Sequence, residues 1–262
     1  MKLRFSRKSL CIPYAVFLVC FVILPMLVIV FYAFTDKNNH FSFTNFVRFF
    51  SDPTKLSTIV YSLVIALVTT VVCLVIAYPV AYILARSNMR KKSVLLLLFV
   101  TPMWINFVLR VNAIRELFHW MGLLGEANYF NTIFGMVYDF LPFMILPLYT
   151  TLSKIDPSLY EASADLGGNA FTTFTRVTLP LSLPGILSGI TMVFLPSMTN
   201  YVVSDMLGNS KVTIIGKFIE TYFGTDWHMG SMIALILLIV VLVSTLLSGG
   251  FRNEENARGA IL

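Results

Sequence analysis

Apolar residues in this chain gather into six long blocks separated by short polar gaps. A helix needs roughly 20 such residues to cross a hydrocarbon core. The blocks Ile12–Phe34, Ile59–Leu84, Val94–Val111, Ile133–Leu152, Leu183–Val203 and Met229–Leu247 come near that length. They predict an all-α integral membrane protein of six transmembrane helices, one transmembrane domain over residues 1–262. Ile59–Leu84 is long enough to tilt or to extend beyond the hydrocarbon. Val94–Val111 is short and carries Pro102, Asn106 and Arg110. The first block exceeds the roughly 7–15 apolar residues of a cleaved signal and lacks a small-residue cleavage site, so a retained helix is expected.

The gaps set the orientation. Lys2, Arg4, Arg7, Lys8, Arg86, Arg90, Lys91, Lys92, Lys154, Arg176, Arg252 and Arg258 fall on one side, twelve in all; Lys37, Arg48, Lys55, Arg115, Lys211 and Lys217 make six on the other. Basic loops stay inside, which predicts cytoplasmic termini. The net charge of +6 is then topological, and nucleic-acid binding is not expected. Composition agrees: 12% of residues are charged and the mean hydropathy is +0.82, against about 25% charged in soluble domains. Cys11, Cys20 and Cys73 lie in or beside apolar runs with no zinc or disulfide spacing, so they read as small buried hydrophobes and no metal site is expected.

The longest polar-rich stretch, residues 153–182, has a helical pattern of its own. Asp156 is placed to cap a helix and Pro157 suits its first position, where no N–H is needed. The helix spans Ser158–Leu166, and Gly167-Gly168 supplies a left-handed stop. Asn169 is placed to cap a second helix, Ala170–Val177, ended by Leu179-Pro180. The expectation is a compact helix–turn–helix on the cytoplasmic face. Ala162 and Ala164 leave room for another backbone, as in a helix docked into a partner's groove. An ordinary capped loop would carry the same signals.

Glu161-Ala162-Ser163, then Gly167, then nine residues, then Val177-Thr178-Leu179-Pro180 resembles the EAA loop of bacterial ABC importer permeases. That pattern reads Glu-Ala-Ala, three residues, Gly, nine residues, Ile-x-Leu-Pro; Ser163 and Val177 are the departures. The resemblance implies a type I (MetI-like) permease fold with a cytoplasmic coupling helix. Glu161, Ala162, Ser163, Asp165, Gly167, Leu179 and Pro180 would form the element gripped by an ATPase. Pro102–Arg110, Leu141–Tyr149 and Leu195–Asp205 are similar to segments of spermidine/putrescine permeases. This likeness implies a polyamine permease in the bacterial inner membrane. Its expected partners are a second homologous permease subunit, two ATPase subunits and an extracytoplasmic substrate-binding protein. The chain binds no cofactor itself; ATP and Mg belong to the ATPase, since no Gly-x-x-x-x-Gly-Lys-Ser/Thr loop occurs.

A polyamine path needs carboxylates for ammonium groups and aromatic faces for cations and methylenes. Tyr201 and Asp205, four residues apart, share a face of a continuing helix. Glu220 and Tyr222 sit in the same external loop, and Trp104 and Asn106 near the outer part of the third block. Belt aromatics and a solvated acid would look alike. Asp139, inside the fourth block, needs a partner or a watery cavity unless that span starts later and leaves it at the interface; Arg110 either pairs with it or snorkels outward. An intramembrane enzyme would need a cluster of catalytic groups at depth, whereas His40, His119 and His228 lie in loops or at block edges. A gradient-driven transporter is the third class; it often shows internal repeats, and none stands out.

Overall fold

In lipid every backbone polar group must be satisfied within its own segment, so the apolar blocks fold as helices. A computed structural model describes residues 11–38, 40–87, 91–124, 128–208 and 212–259. Lys2, Arg4, Arg7, Lys8, Arg90 and Lys211, which entered the charge balance, lie outside the described residues. The helices are α1 (Ile12–Ala33), α2 (Thr44–Phe50), α3 (Pro53–Arg86), α4 (Lys92–Trp104), α5 (Phe107–Trp120), α6 (Asn128–Leu152), α7 (Ser158–Asp165), α8 (Ala170–Thr199), α9 (Tyr201–Leu207), α10 (Ile215–Thr225) and α11 (Trp227–Gly259). Among the described residues, α1, α3, α6 and α8 are long and apolar enough to cross a bilayer, and α4–α5 makes a fifth if one bent pair is one span. The apolar part of α11, Trp227–Val243, is shorter.

Four boundaries depart from the sequence pattern. The third block, Val94–Val111, is not one rod: α4 and α5 meet at 94°. Pro102 removes a backbone donor and the chain tightens into a 3-10 turn at Thr101–Trp104. Ile105 is extended, and Asn106 restarts a helix by accepting from the N–H groups of Val108 (2.9 Å) and Leu109 (3.4 Å). The second helix of the predicted hairpin does not stop at Leu179-Pro180. It runs on through a wide π turn, Phe174–Thr178, into the fifth apolar block as α8. The Leu179 N–H reaches back to the Phe174 carbonyl, and the widened turn makes room for the Pro180 ring. That same block breaks at Asn200 rather than continuing to Val203, and α9 follows. The fourth block begins earlier than Ile133, at Asn128.

The described residues fall into two compact units. One joins the segment through Ser57 to Phe218–Val241. There Phe34 stacks among Phe41, Phe43 and Phe46, and Asn45 donates to the carbonyl of Thr35 at 2.9 Å. The His228 ring packs edge-on to Tyr32 and lies 3.3 Å from the Thr35 hydroxyl.

The other unit, Thr58–Lys217 with the chain from Leu242, is built on α8 lying along α6. Lipid tails are as apolar as the helices, so close backbone approach and polar contacts must bind them. Gly185 and Gly189 allow that approach: a Cβ at Gly185 would strike the Thr151 side chain and the Pro147 carbonyl, and one at Gly189 would strike Met144. Pro142 and Pro147 sit inside α6, and Pro184 and Pro196 inside α8. Buried Ser and Thr side chains on α3 return their hydrogen bonds to the helix, Ser62 to Thr58 and Thr70 to Ala66, both at 2.7 Å.

Candidate functional site

Residues brought together by this second unit form two polar assemblies, one near each end of α3. At the Arg86 end stands the hairpin made by α7 and the start of α8. The Asp156 carboxylate accepts from the Ser158 N–H at 2.9 Å, and that bond holds its carboxyl below the usual range. At the other terminus Gly167 adopts φ +77°, with its N–H on the Ala164 carbonyl (2.9 Å) and the Gly168 N–H on Ser163 (2.8 Å). These two bonds make a Schellman closure. Asn169 then caps α8 through the Thr172 N–H at 2.8 Å. Ser163, where the EAA pattern has Ala, lies 2.8 Å from the Thr173 hydroxyl and ties the two helices together.

One aromatic side chain fixes this hairpin to the span. The Arg86 guanidinium lies 3.5 Å from the centre of the Tyr160 ring, a cation–π contact. Phe174 on α8 meets Tyr78 and Tyr82 of α3 edge-on, and the Tyr78 hydroxyl lies 2.9 Å from Ser182 Oγ. The outer side of the hairpin is unpaired by comparison. Glu161, Ala162 and Asp165 are exposed, as are the apolar Leu159, Leu166 (90%) and Phe171 (76%).

Near the start of α3 the Ile215 N–H donates to Ser62 Oγ at 2.8 Å. Beside this junction lies a cavity of about 290 Å³ lined by Tyr201, Ser204, Asp205, Val212, Thr213 and Lys217. Ser204 Oγ donates to the Val212 carbonyl and closes its wall. Lys217 Nζ is 3.4 Å from Asp205 Oδ2 and 5.4 Å from the centre of the Tyr201 ring. Ser62 and Arg86 are 24 residues apart on one helix, so about 36 Å separates the two assemblies.

Between them, Arg110 of α5 donates through Nη2 to Asp139 Oδ1 of α6 at 2.6 Å, both side chains 8% exposed. Asn200, at the α8–α9 break, donates to the other carboxylate oxygen at 3.5 Å. Arg110 therefore pairs with Asp139 rather than snorkelling. Of the remaining predicted residues, Trp104 is 81% exposed at the α4–α5 bend and does not line the cavity, and Asn106 caps α5. Glu220 and Tyr222 lie on the helix α10 rather than in a loop, within the first unit, with Lys55 Nζ 5.7 Å from the Tyr222 ring. Nothing in the sequence pattern singles out Lys217, Asn200 or Arg86 for these assemblies. Tyr160 has one signal, as the single aromatic in a helix of small residues.

These are the parts of a helical membrane transport component, with long apolar spans, a capped hairpin at one end and a polar cavity near the other. Residues 77–253 match the family described as the binding-protein-dependent transport system inner membrane component. The chain belongs to that family and is a permease of an ABC importer, a multi-pass inner-membrane protein. It is not an enzyme and binds no cofactor; ATP is handled by a separate ATPase subunit. It is 34% identical over 247 residues to the spermidine/putrescine transport system permease protein PotB of Escherichia coli, covering 86% of this chain and 90% of that one. PotB of Haemophilus influenzae is 33% identical over 261 residues, 91% of each chain. The fold is also that of a chain from a bacterial ABC transporter involved in alginate import, with TM-score 0.72 and 16% identity over 94% of both chains.

Proposed function

We propose that this chain forms half of the translocation pathway of a polyamine importer, and that α7 is its coupling helix. The observation that carries the coupling role is the two-sidedness of the hairpin. One side is pinned to α3 by Tyr160 under Arg86, and the other presents Glu161, Leu159, Leu166 and Phe171 unburied. An exposed apolar patch rimmed by polar groups marks an interaction surface. On this reading Glu161, Ala162, Ser163, Asp165 and Gly167 meet an ATPase, while Leu179 and Pro180 lead its motion into α8. Closure of two ATPases around ATP would draw paired hairpins together and reorient the spans.

The path takes its polyamine assignment from the PotB relatives and from the acid and ring at Asp205 and Tyr201. Trp104, Asn106 and Glu220, which are exposed, and the half-buried Tyr222 are further candidates for the path, and Arg110 with Asp139 braces the bent third span. The full layout is six spans of a type I importer, termini and hairpin cytoplasmic. Its partners are a PotC-like second permease, two PotA-like ATPase subunits and a PotD-like binding protein. The test is co-purification in detergent followed by ATP turnover with putrescine, spermidine or a neutral sugar. Recovery of an ATPase and stimulation by a polyamine are expected. A complex without an ATPase would remove the coupling role, and stimulation by the sugar alone would reassign the substrate.

A further inference from the structure

The cavity beside α9 holds a cation supplied by the chain itself. Lys217 ends in an ammonium on a stem of four methylenes, the chemical unit found at the end of an aminobutyl polyamine. Its Nζ sits 3.4 Å from the Asp205 carboxylate and 5.4 Å from the centre of the Tyr201 ring. These are the two groups, acid and aromatic face, that an incoming alkylammonium needs. We infer that Lys217 is a tethered competitor for the substrate's ammonium at Asp205 and Tyr201. This inference rests on the polyamine reading above.

Geometry makes the competition workable. The Lys217 and Asp205 side chains are 33% and 41% exposed, so their pair is half-solvated and weak. A buried pair would hold its partner too tightly to be exchanged; this one leaves the Asp205 carboxylate open to exchange. The polar lining gives the displaced and entering groups alternative contacts, with Ser204, Thr213 and Tyr201 around about 290 Å³ of space. Because Lys217 is tethered, it presents its ammonium at a high effective concentration, in the mM range for short flexible links. Free polyamine must then bind against Lys217, which raises the concentration it needs by up to about fivefold, whereas polyamine handed over at a docked binding protein arrives at high local concentration. Lys217 would thus bias the path toward delivered substrate.

The experiment uses the assembled transporter, co-purified through a tag on this chain and reconstituted without binding protein. Binding of radiolabelled putrescine to that complex is followed against putrescine concentration. Lys217→Met keeps the methylene stem and removes the ammonium; its half-maximal putrescine concentration should fall about fivefold, the most an exposed pair of this kind supports. Lys217→Arg should stay near the wild type, since the cation remains. Asp205→Asn should raise the half-maximal concentration, and adding Lys217→Met to it should bring no further gain. An unchanged or higher value in Lys217→Met, with wild-type protein binding putrescine, overturns the inference alone. Lys217→Gln repeats the test with a polar neutral side chain. No binding of any polyamine by either the wild type or Lys217→Met overturns the inference, while the substrate reading is judged separately by the turnover test of the co-purified complex.

Discussion

A single buried carboxylate shows how few groups decide the interior of this protein. Asp139 is 5% exposed on an apolar helix, and its charge is met by Arg110 at 2.6 Å. Removing one partner of such a pair leaves a naked charge, at a cost of about 3–5 kcal/mol, whereas replacing both with apolar groups is often neutral. Asp139→Leu or Arg110→Met alone should therefore lower the detergent melting temperature sharply, and the double substitution should recover most of the loss. A double variant as unstable as the singles would mean that Asn200 and the α8–α9 break depend on the carboxylate. Asp156 gives a pH prediction with the opposite exposure. Its carboxyl is held low by the Ser158 N–H, so its contribution to α7 is complete at neutral pH. That contribution persists as pH falls toward the ordinary carboxylate value and is lost only below it, as the cap protonates. Amide exchange in α7 should be insensitive to pH in this respect from 7 down to about 5, after allowance for intrinsic rates. Asp156→Ala should quicken it at every pH in that range.

At the scale of elements, the turn of the hairpin carries the sharpest prediction. Gly167 sits at φ +77° with open space where a Cβ would stand, so backbone conformation alone demands glycine. A β-branched residue there costs about 1–2 kcal/mol and opens the turn. Gly167→Val should leave membrane insertion intact while ATP hydrolysis and uptake come apart; Gly167→Asn, which tolerates this region, should keep most coupling. Normal uptake in Gly167→Val would deny α7 its coupling role. This turn was legible in the sequence because its causes are local: an acid cap, a proline at the first turn, a glycine pair and an asparagine. Four of the six expected spans, found as α1, α3, α6 and α8 among the described residues, were legible for a similar reason, since lipid permits few alternatives to helix. The 94° bend at Trp104–Phe107 was not, because a hydropathy average does not register the moment when Asn106 becomes a cap. Nor was the continuation through Phe174–Thr178, where a proline that reads as a stop is absorbed by a wide turn. The contacts of Lys217 with Asp205 and of Arg86 with Tyr160 join residues on different helices, and no periodicity along the chain encodes them.

For the whole molecule, the span α3 acts as a ruler. Its 34 residues extend about 51 Å, against a hydrocarbon core of about 30 Å. The helix therefore tilts or stands proud of the membrane, and the assemblies near Ser62 and Arg86 can lie in water on opposite faces. The balance of Lys and Arg predicts that the Arg86 end faces the cytoplasm. Labelling with a membrane-impermeant maleimide tests this, starting from a chain whose Cys11, Cys20 and Cys73 are replaced by Ala. Leu166→Cys, on the exposed side of the hairpin, should react in inverted vesicles and stay silent in intact spheroplasts. Thr213→Cys, lining the polar cavity, should do the reverse, and polyamine should slow its reaction. The two positions belong to one compact unit, so the same preparation reports both ends of one body. Reaction of both from the same face would mean that α3 does not cross, and that the hairpin and the cavity are not joined through the bilayer by this helix. Opposite reaction with Leu166→Cys shielded by the co-purified ATPase would link the exposed apolar patch to the source of energy, and the Asp205 cavity, about 36 Å away along α3, to the side from which substrate arrives.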